Sequence, residues 1–172
     1  SRRVVESAAG LKAPLVFGSP AYGHAGAKPR FYNRAYLLSP EGRVEDHYDK
    51  IHLVPFGEYV PLQRFFPFVH RLVPAAGDFA PGNKVSPLRI PGMPAGVLIC
   101  YEVIFPELAR MQAEKGSRVL LNLTNDAWFG RTSAPHQHLS MSVFRAVENR
   151  RPLVRAANTG ISAFISPIGE IT

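Results

Sequence analysis

The chain has 172 residues, 46% hydrophobic and 19% charged, which is enough for one sizeable core and sets one domain as the default. A formal net charge of +7 admits nucleic acid, an anionic membrane surface or simply a basic soluble surface, but the arginines are scattered, with no dense basic run and no nucleic-acid motif, so nucleic acid is not expected as a partner. No stretch reaches the roughly 18 to 20 consecutive apolar residues of a membrane-spanning helix, and the start, Ser1-Arg2-Arg3-Val4-Val5-Glu6, lacks the apolar core of a signal peptide.

In chain order, residues 2–12 read as a short helix and 15–19 as a buried strand. Residues 33–38 and 43–48 form an expected hairpin through Ser39-Pro40-Glu41-Gly42. The stretch from Tyr48 to Pro61 is too rich in Pro and Gly for a helix and too apolar for a solvated loop; it reads as an ordered loop carrying Lys50 and Glu58. Residues 59–72 mix Phe65, Phe66 and Phe68 with arginine, which suits either a membrane interface or a packed core. Residues 73–94 are a long Pro- and Gly-rich excursion of the kind that is functional or mobile. A strand at 96–99 then runs through Cys100-Tyr101-Glu102 into a helix starting near Phe105. Beyond it come a strand at 119–123, an amphipathic helix at 136–149, strands at 154–157 and 162–165, and a closing turn at 167–172 that leads towards another strand. Alternating apolar strands and helices predict an α/β layered sheet.

Cys100 is the single cysteine, and a lone thiol at a strand-to-helix turn is a candidate nucleophile, although single cysteines are commonly small buried hydrophobes. At an ordinary pKa of about 8.5 a thiol is only a few per cent ionised near neutral pH, so it needs a base or a nearby cation. Lys50 can supply the cation and Glu58 can hold it. The same ammonium, with the Tyr101 N–H, can stabilise the oxyanion formed when a thiolate attacks a carbonyl, which points to acyl transfer or amide hydrolysis.

The Lys50 loop, the Cys100-Tyr101-Glu102 turn, Asn122-Leu123-Thr124-Asn125-Asp126-Ala127-Trp128-Phe129-Gly130 and Arg151-Pro152-Leu153-Val154-Arg155-Ala156-Ala157-Asn158-Thr159-Gly160 together resemble the nitrilase (carbon-nitrogen hydrolase) superfamily. Val54-Pro55-Phe56-Gly57-Glu58 and Asn125-Asp126-Ala127-Trp128-Phe129-Gly130 favour the branch of periplasmic domains found in the apolipoprotein N-acyltransferase family over the soluble amidases. The resemblance implies an α-β-β-α sandwich, here truncated at both ends, and a Glu-Lys-Cys triad. Lys50 and Cys100 map onto two triad members, and Glu58 onto a second family glutamate near the lysine. The general-base glutamate has no counterpart: Glu6 sits inside the first helix and Glu41 and Glu45 belong to the hairpin. The fragment alone is therefore expected to be inactive, with the general-base strand and membrane helices upstream of it.

On this resemblance the reaction is transfer of a fatty acyl chain from a phospholipid, through a Cys100 thioester, to the N-terminal amine of a lipoprotein acceptor, at the periplasmic face of the bacterial inner membrane and without a cofactor or metal. Two alternatives stay open, a soluble amidase acting on a small amide and a catalytically inert lipid-binding module. Tyr101 is expected to contribute its N–H more than its ring, and Glu102 either to orient the site or to cap the following helix. Trp128 and Phe129 either line an acyl pocket or pack under the Cys100 strand, and Asn125-Asp126 shape a turn. His136 and His138, two apart on a helix, share no face and read as structural; Arg145, Glu148, Arg150 and Arg155 read as ion pairs or a solvated face.

Overall fold

A computed structural model describes residues 12–25, 28–59, 61 and 78–172. The expected first helix and the aromatic and basic segment at 59–72 lie outside these residues, apart from residues 12, 59 and 61. Strands β1 (Leu15–Ala25), β2 (Lys28–Leu38) and β3 (Val44–Asp49) form an antiparallel sheet in that order. The β2–β3 hairpin turns where expected, with Ser39 Oγ accepting from the N–H groups of Glu41 and Arg43 and Gly42 at φ 79°. β1 departs from the expectation: it is longer than 15–19 and only partly covered, because it is the outer strand of the described sheet and pairs with β2 alone.

The second sheet has the order β4 (Ala95–Ile99), β5 (Val119–Thr124), β6 (Leu153–Ala157), β7 (Ala163–Ile165). The first three strands are parallel and β7 is antiparallel to β6. Parallel neighbours need long crossovers, and helices α1 (Pro106–Glu114) and α2 (Ala134–Asn149) supply them. α1 begins with proline at its first position and Glu107 in its first turn, both suited to a helix N-terminus. Past Ile165 the chain turns back, and Phe164 and Thr172 exchange backbone hydrogen bonds of 3.0 and 2.9 Å, the start of the pairing expected at the end of the chain. Residues 78–94 carry only isolated bridges, Phe31 to Phe79 and Leu88 to Ala95.

All five residues of β4 are buried, because this strand is covered on both faces. Leu98 joins Leu120, Leu153 and Ile165 against Leu108, Ala109 and Ala146 of the helices. Val97 and Ile99, pointing the other way, pack on Ala35, Leu37 and Tyr48 of the first sheet. The described layers are therefore helices, second sheet, first sheet, and Cys100 stands at the carboxyl end of the strand sandwiched between them.

Gly96 shows how tightly α1 seats on β4. A Cβ there would stand 2.6 Å from Ser117 Oγ and 2.7 Å from Gln112 Cβ, while Gln112 Nε2 itself donates to Val97 O at 3.1 Å. We expect Gly96→Ala to lower stability by about 1–3 kcal/mol, the usual range for overpacking. Urea unfolding reads this directly, and an unchanged midpoint would mean that the helix can move away at no cost.

Candidate active site

Cys100 follows β4 directly and opens a 3-10 turn (Cys100–Ile104) with φ 51°, a left-handed conformation uncommon for a residue with a side chain. Its thiol is half-buried. Lys50 follows β3 directly, 1% exposed, and its Nζ donates to Glu58 Oε2 at 2.6 Å. The Glu58 carboxylate also accepts from Val54 N at 2.8 Å and, through Oε1, from Asn33 Nδ2 at 2.7 Å. Three donors fix it, so the lysine ammonium meets an anion that does not move.

Glu102 does more than either role expected for it. Fully buried, its Oε1 accepts from Ile51 N at 2.6 Å, Tyr48 Oη at 3.0 Å and His52 N at 3.1 Å, and its Oε2 accepts from Ile99 N at 2.7 Å. One carboxylate thus ties the residue after Lys50 to the residue before Cys100. The bond to Ile99 N caps the Cys100–Ile104 3-10 turn rather than the helix that follows, whose N-cap is Phe105 and whose first turn carries Glu107. Burial pushes its pKa up to about 7, against the four donors, which favour the ionised form.

An apolar cleft of about 450 Å³ opens beside the turn, lined by Ile51, His52, Leu53, Pro55, Tyr59, Phe79, Pro81, Tyr101 and Phe105. The His52 ring stacks on Phe105 at 4.3 Å, and the Tyr101 ring meets Phe105 edge-on at 5.3 Å. The ring of Tyr101 is therefore part of the cleft wall. Trp128, at 76% exposed, does not pack beneath the Cys100 strand, and neither it nor Phe129 lines this cleft. Phe129 lies edge-on to His138, 5.8 Å between ring centres.

Behind the turn lies a polar cluster in which the ion pairs expected of Arg155 and Arg145 form with their arginines buried rather than on a solvated face. Arg155, assigned to an ion pair or a solvated face, is 1% exposed: it pairs with Asp126 Oδ2 at 2.7 Å and donates to Asn122 Oδ1 and to Ile161 O. Arg145 is buried too, paired with Glu148 at 2.8 Å and donating to Ile104 O. Asn125 makes the expected turn, accepting from Ala127 N at 3.2 Å, but Asp126 points inward, where His138 Nδ1 lies 2.9 Å from Oδ1 and Thr124 Oγ1 donates at 3.0 Å. His138 and Ser142 lie on the buried stripe of α2 with Arg145 and Ala146, while Met141, Phe144 and Val147 face out. Asn33, Tyr48 and Asn122 were missed as site-building residues, and Asp126 was expected only in a turn. A signal existed for two members of the cluster: a lone Asn in Val-Leu-Leu-Asn-Leu and a lone Arg in Leu-Val-Arg-Ala-Ala are polar groups inside apolar strands, which must be paired when buried.

The raised Glu102 pKa has a definite sign. A carboxyl that holds its proton more tightly folded than unfolded contributes stability fully below its unfolded value of 4.5 and loses that contribution as pH rises through about 7. We expect wild type to lose on the order of 3 kcal/mol relative to Glu102→Gln across that window, read from urea unfolding at a series of pH values. A pH-independent difference would show that the four donors cancel the effect of burial.

The carbon-nitrogen hydrolase family profile matches residues 2–172. Apolipoprotein N-acyltransferase from Geobacter metallireducens is 56% identical over 161 residues, covering 94% of this chain and 31% of that protein. The protein of the same name from Allorhizobium ampelinum is 43% identical over 150 residues, 86% of this chain and 28% of that protein. The chain thus spans about a third of the length of the curated relatives it matches. Among solved structures, a carbon-nitrogen hydrolase from Helicobacter pylori G27 superposes with a TM-score of 0.71 at 17% identity, over 98% of this chain and 59% of that one, a likeness of fold alone. An amidase variant from Nesterenkonia sp. AN1, which carries the acetamide moiety of fluoroacetamide at its active site cysteine, superposes with a TM-score of 0.68 at 26% identity, over 98% of this chain and 59% of that one. With its two-sheet α/β architecture and a profile match running almost from end to end, the chain belongs to the carbon-nitrogen hydrolase family.

Proposed function

We propose that this chain is the catalytic part of a membrane-linked N-acyltransferase that matures lipoproteins. The observation that carries the reading is the joining of the Lys50 loop to the Cys100 turn through Glu102, beside an apolar cleft. Identity of 56% to an apolipoprotein N-acyltransferase supports it over hydrolysis of a small amide.

In the first step the Cys100 thiolate attacks the ester carbonyl of a phospholipid. The C–S bond forms, and the ester C–O bond breaks to release a lysophospholipid that takes up a proton. In the second step the α-amine of a diacylglyceryl-cysteine lipoprotein attacks the thioester, forming the amide and returning the thiol. Each step passes through an oxyanion, which the Lys50 ammonium and the Tyr101 N–H stabilise. Glu58 is the holder of Lys50 rather than the base, since its carboxylate already accepts from three donors. Glu102 is likewise engaged by four donors, and Glu41 and Glu45 are exposed on the hairpin. In this reading the proton of the thiol goes to a carboxylate other than Glu41, Glu45, Glu58 and Glu102. The cleft wall of Tyr101, Phe105, Leu53 and Phe79 suits an acyl chain, which needs apolar cover while its carbonyl reacts.

Incubated with phospholipid vesicles, the whole protein is expected to gain the mass of one fatty acyl group, labile to hydroxylamine and absent from Cys100→Ala. No adduct together with hydrolysis of small amides would move the assignment to an amidase. Lys50→Ala is expected to slow thioester formation by about a hundredfold or more, the usual effect of a lost oxyanion donor, as measured by single-turnover quench with intact-mass detection. A rate near that of wild type would remove Lys50 from the site.

A further inference from the structure

The polar cluster behind Cys100 closes into a ring. His138 Nε2 lies 3.2 Å from the carbonyl oxygen of Cys100, and Asn122 Nδ2 reaches the same oxygen at 3.4 Å. His138 Nδ1 contacts Asp126 Oδ1 at 2.9 Å, Asp126 Oδ2 accepts from Arg155, and Arg155 donates to Asn122 Oδ1, which returns to the start. Side chains from β5 and α2 thus meet on one carbonyl, backed by side chains from β6 and the 3-10 turn after β5, in a residue whose φ of 51° needs outside support.

A trans peptide is planar, with its C=O and N–H pointing in opposite directions. Whatever holds the Cys100 carbonyl back therefore aims the Tyr101 N–H forward. We propose that His138, with Asn122, is a positioning residue: it fixes the Cys100–Tyr101 peptide so that the N–H of Tyr101 faces the oxyanion of each acyl-transfer step. This rests on the proposed acyl-transfer reading and adds residues to it that touch neither substrate nor thiol. The Nε2 proton does the holding. Burial and the neighbouring Arg155 guanidinium hold the imidazole below its ordinary pKa; with the single proton of the neutral ring on Nε2, Nδ1 accepts from Arg155 Nη2 at 3.1 Å.

Two substitutions separate the halves of the ring. In His138→Gln the side-chain amide falls near the place of Nε2 and keeps a donor on the Cys100 carbonyl; in His138→Asn it falls near Nδ1, keeping the Asp126 contact and losing the carbonyl. Two reactions of the whole protein in detergent separate positioning from folding. Acylation of Cys100 by p-nitrophenyl palmitate passes through an oxyanion, whereas alkylation by iodoacetamide does not. We expect His138→Asn to lower the acylation kcat by at least about tenfold, part of the hundredfold typical of a deleted oxyanion donor, with KM and the alkylation rate within about twofold of wild type. His138→Gln should recover most of the acylation rate. The reverse order, with Asn active and Gln impaired, would overturn the inference and make the Asp126 contact the one that matters; so would equal acylation by both variants, or alkylation falling in step with acylation. A wild-type protein that alkylates at Cys100 but never acylates there would overturn the acyl-transfer reading itself, and this inference with it.

Discussion

The Glu102 carboxylate is the constraint on which the rest of the site depends. Cys100 and Lys50 arrive from different sheets, and nothing local to either segment sets their separation. A single carboxyl group accepting from Ile51 N, His52 N, Tyr48 Oη and Ile99 N sets it instead, because four hydrogen bonds to two oxygens leave little freedom for either strand end. The apolar layer beneath does the coarse work: Val97 and Ile99 on Ala35, Leu37 and Tyr48 bring the sheets together. Burial of that layer then removes the water that would otherwise compete for the carboxylate, so packing and polar geometry depend on each other.

Buried charge is used throughout for position more than for stability. Lys50 with Glu58 and Arg155 with Asp126 are each desolvated pairs, whose mutual attraction is largely offset by the loss of hydration. What such pairs provide is a fixed location, because a charge deprived of its partner in a dry interior is far more costly than the pair. The lysine ammonium is held by a carboxylate that two further donors hold, and the carbonyl of the strained cysteine is backed by a closed polar ring. Both arrangements pre-orient donors before any reaction begins, which is the condition under which they lower a barrier.

Function falls at the carboxyl ends of the parallel strands, the usual place for sites in such sheets. Cys100 follows β4, Asn125 and Asp126 follow β5, and Asn158 follows β6, so the cysteine, the polar cluster behind it and the surrounding turns share one edge of the second sheet. The first sheet delivers the lysine loop to that edge from the other side, and the cleft lies where the two meet.

Much of this was legible in the chain itself, and the reason is local. Apolar runs bounded by turn residues marked β4, β5 and the β2–β3 hairpin, since these signals act within a few residues. A lone thiol at a strand end, and one lysine and one glutamate in a loop too apolar to be idle, named Cys100, Lys50 and Glu58. What the sequence did not reveal were relations between distant segments. Whether Glu102 capped a helix or served the site depended on Tyr48, Ile51 and His52, about fifty positions away. Arg155 read as an ion pair or a solvated face, and its partner and burial were decided only by placing β6 next to β5 and under α2, where Asn122, Asp126 and His138 enclose it. α2 had a clear helical pattern, yet the stripe it buries contains His138, Ser142 and Arg145, because the turn it covers offers carbonyls and carboxylates that need donors. The sequence by itself determined which elements form and which reactive groups they carry, through short-range backbone preferences and the alternation of apolar residues; only the tertiary structure decided which polar groups meet, because burial creates both the need for a partner and the geometry that supplies one.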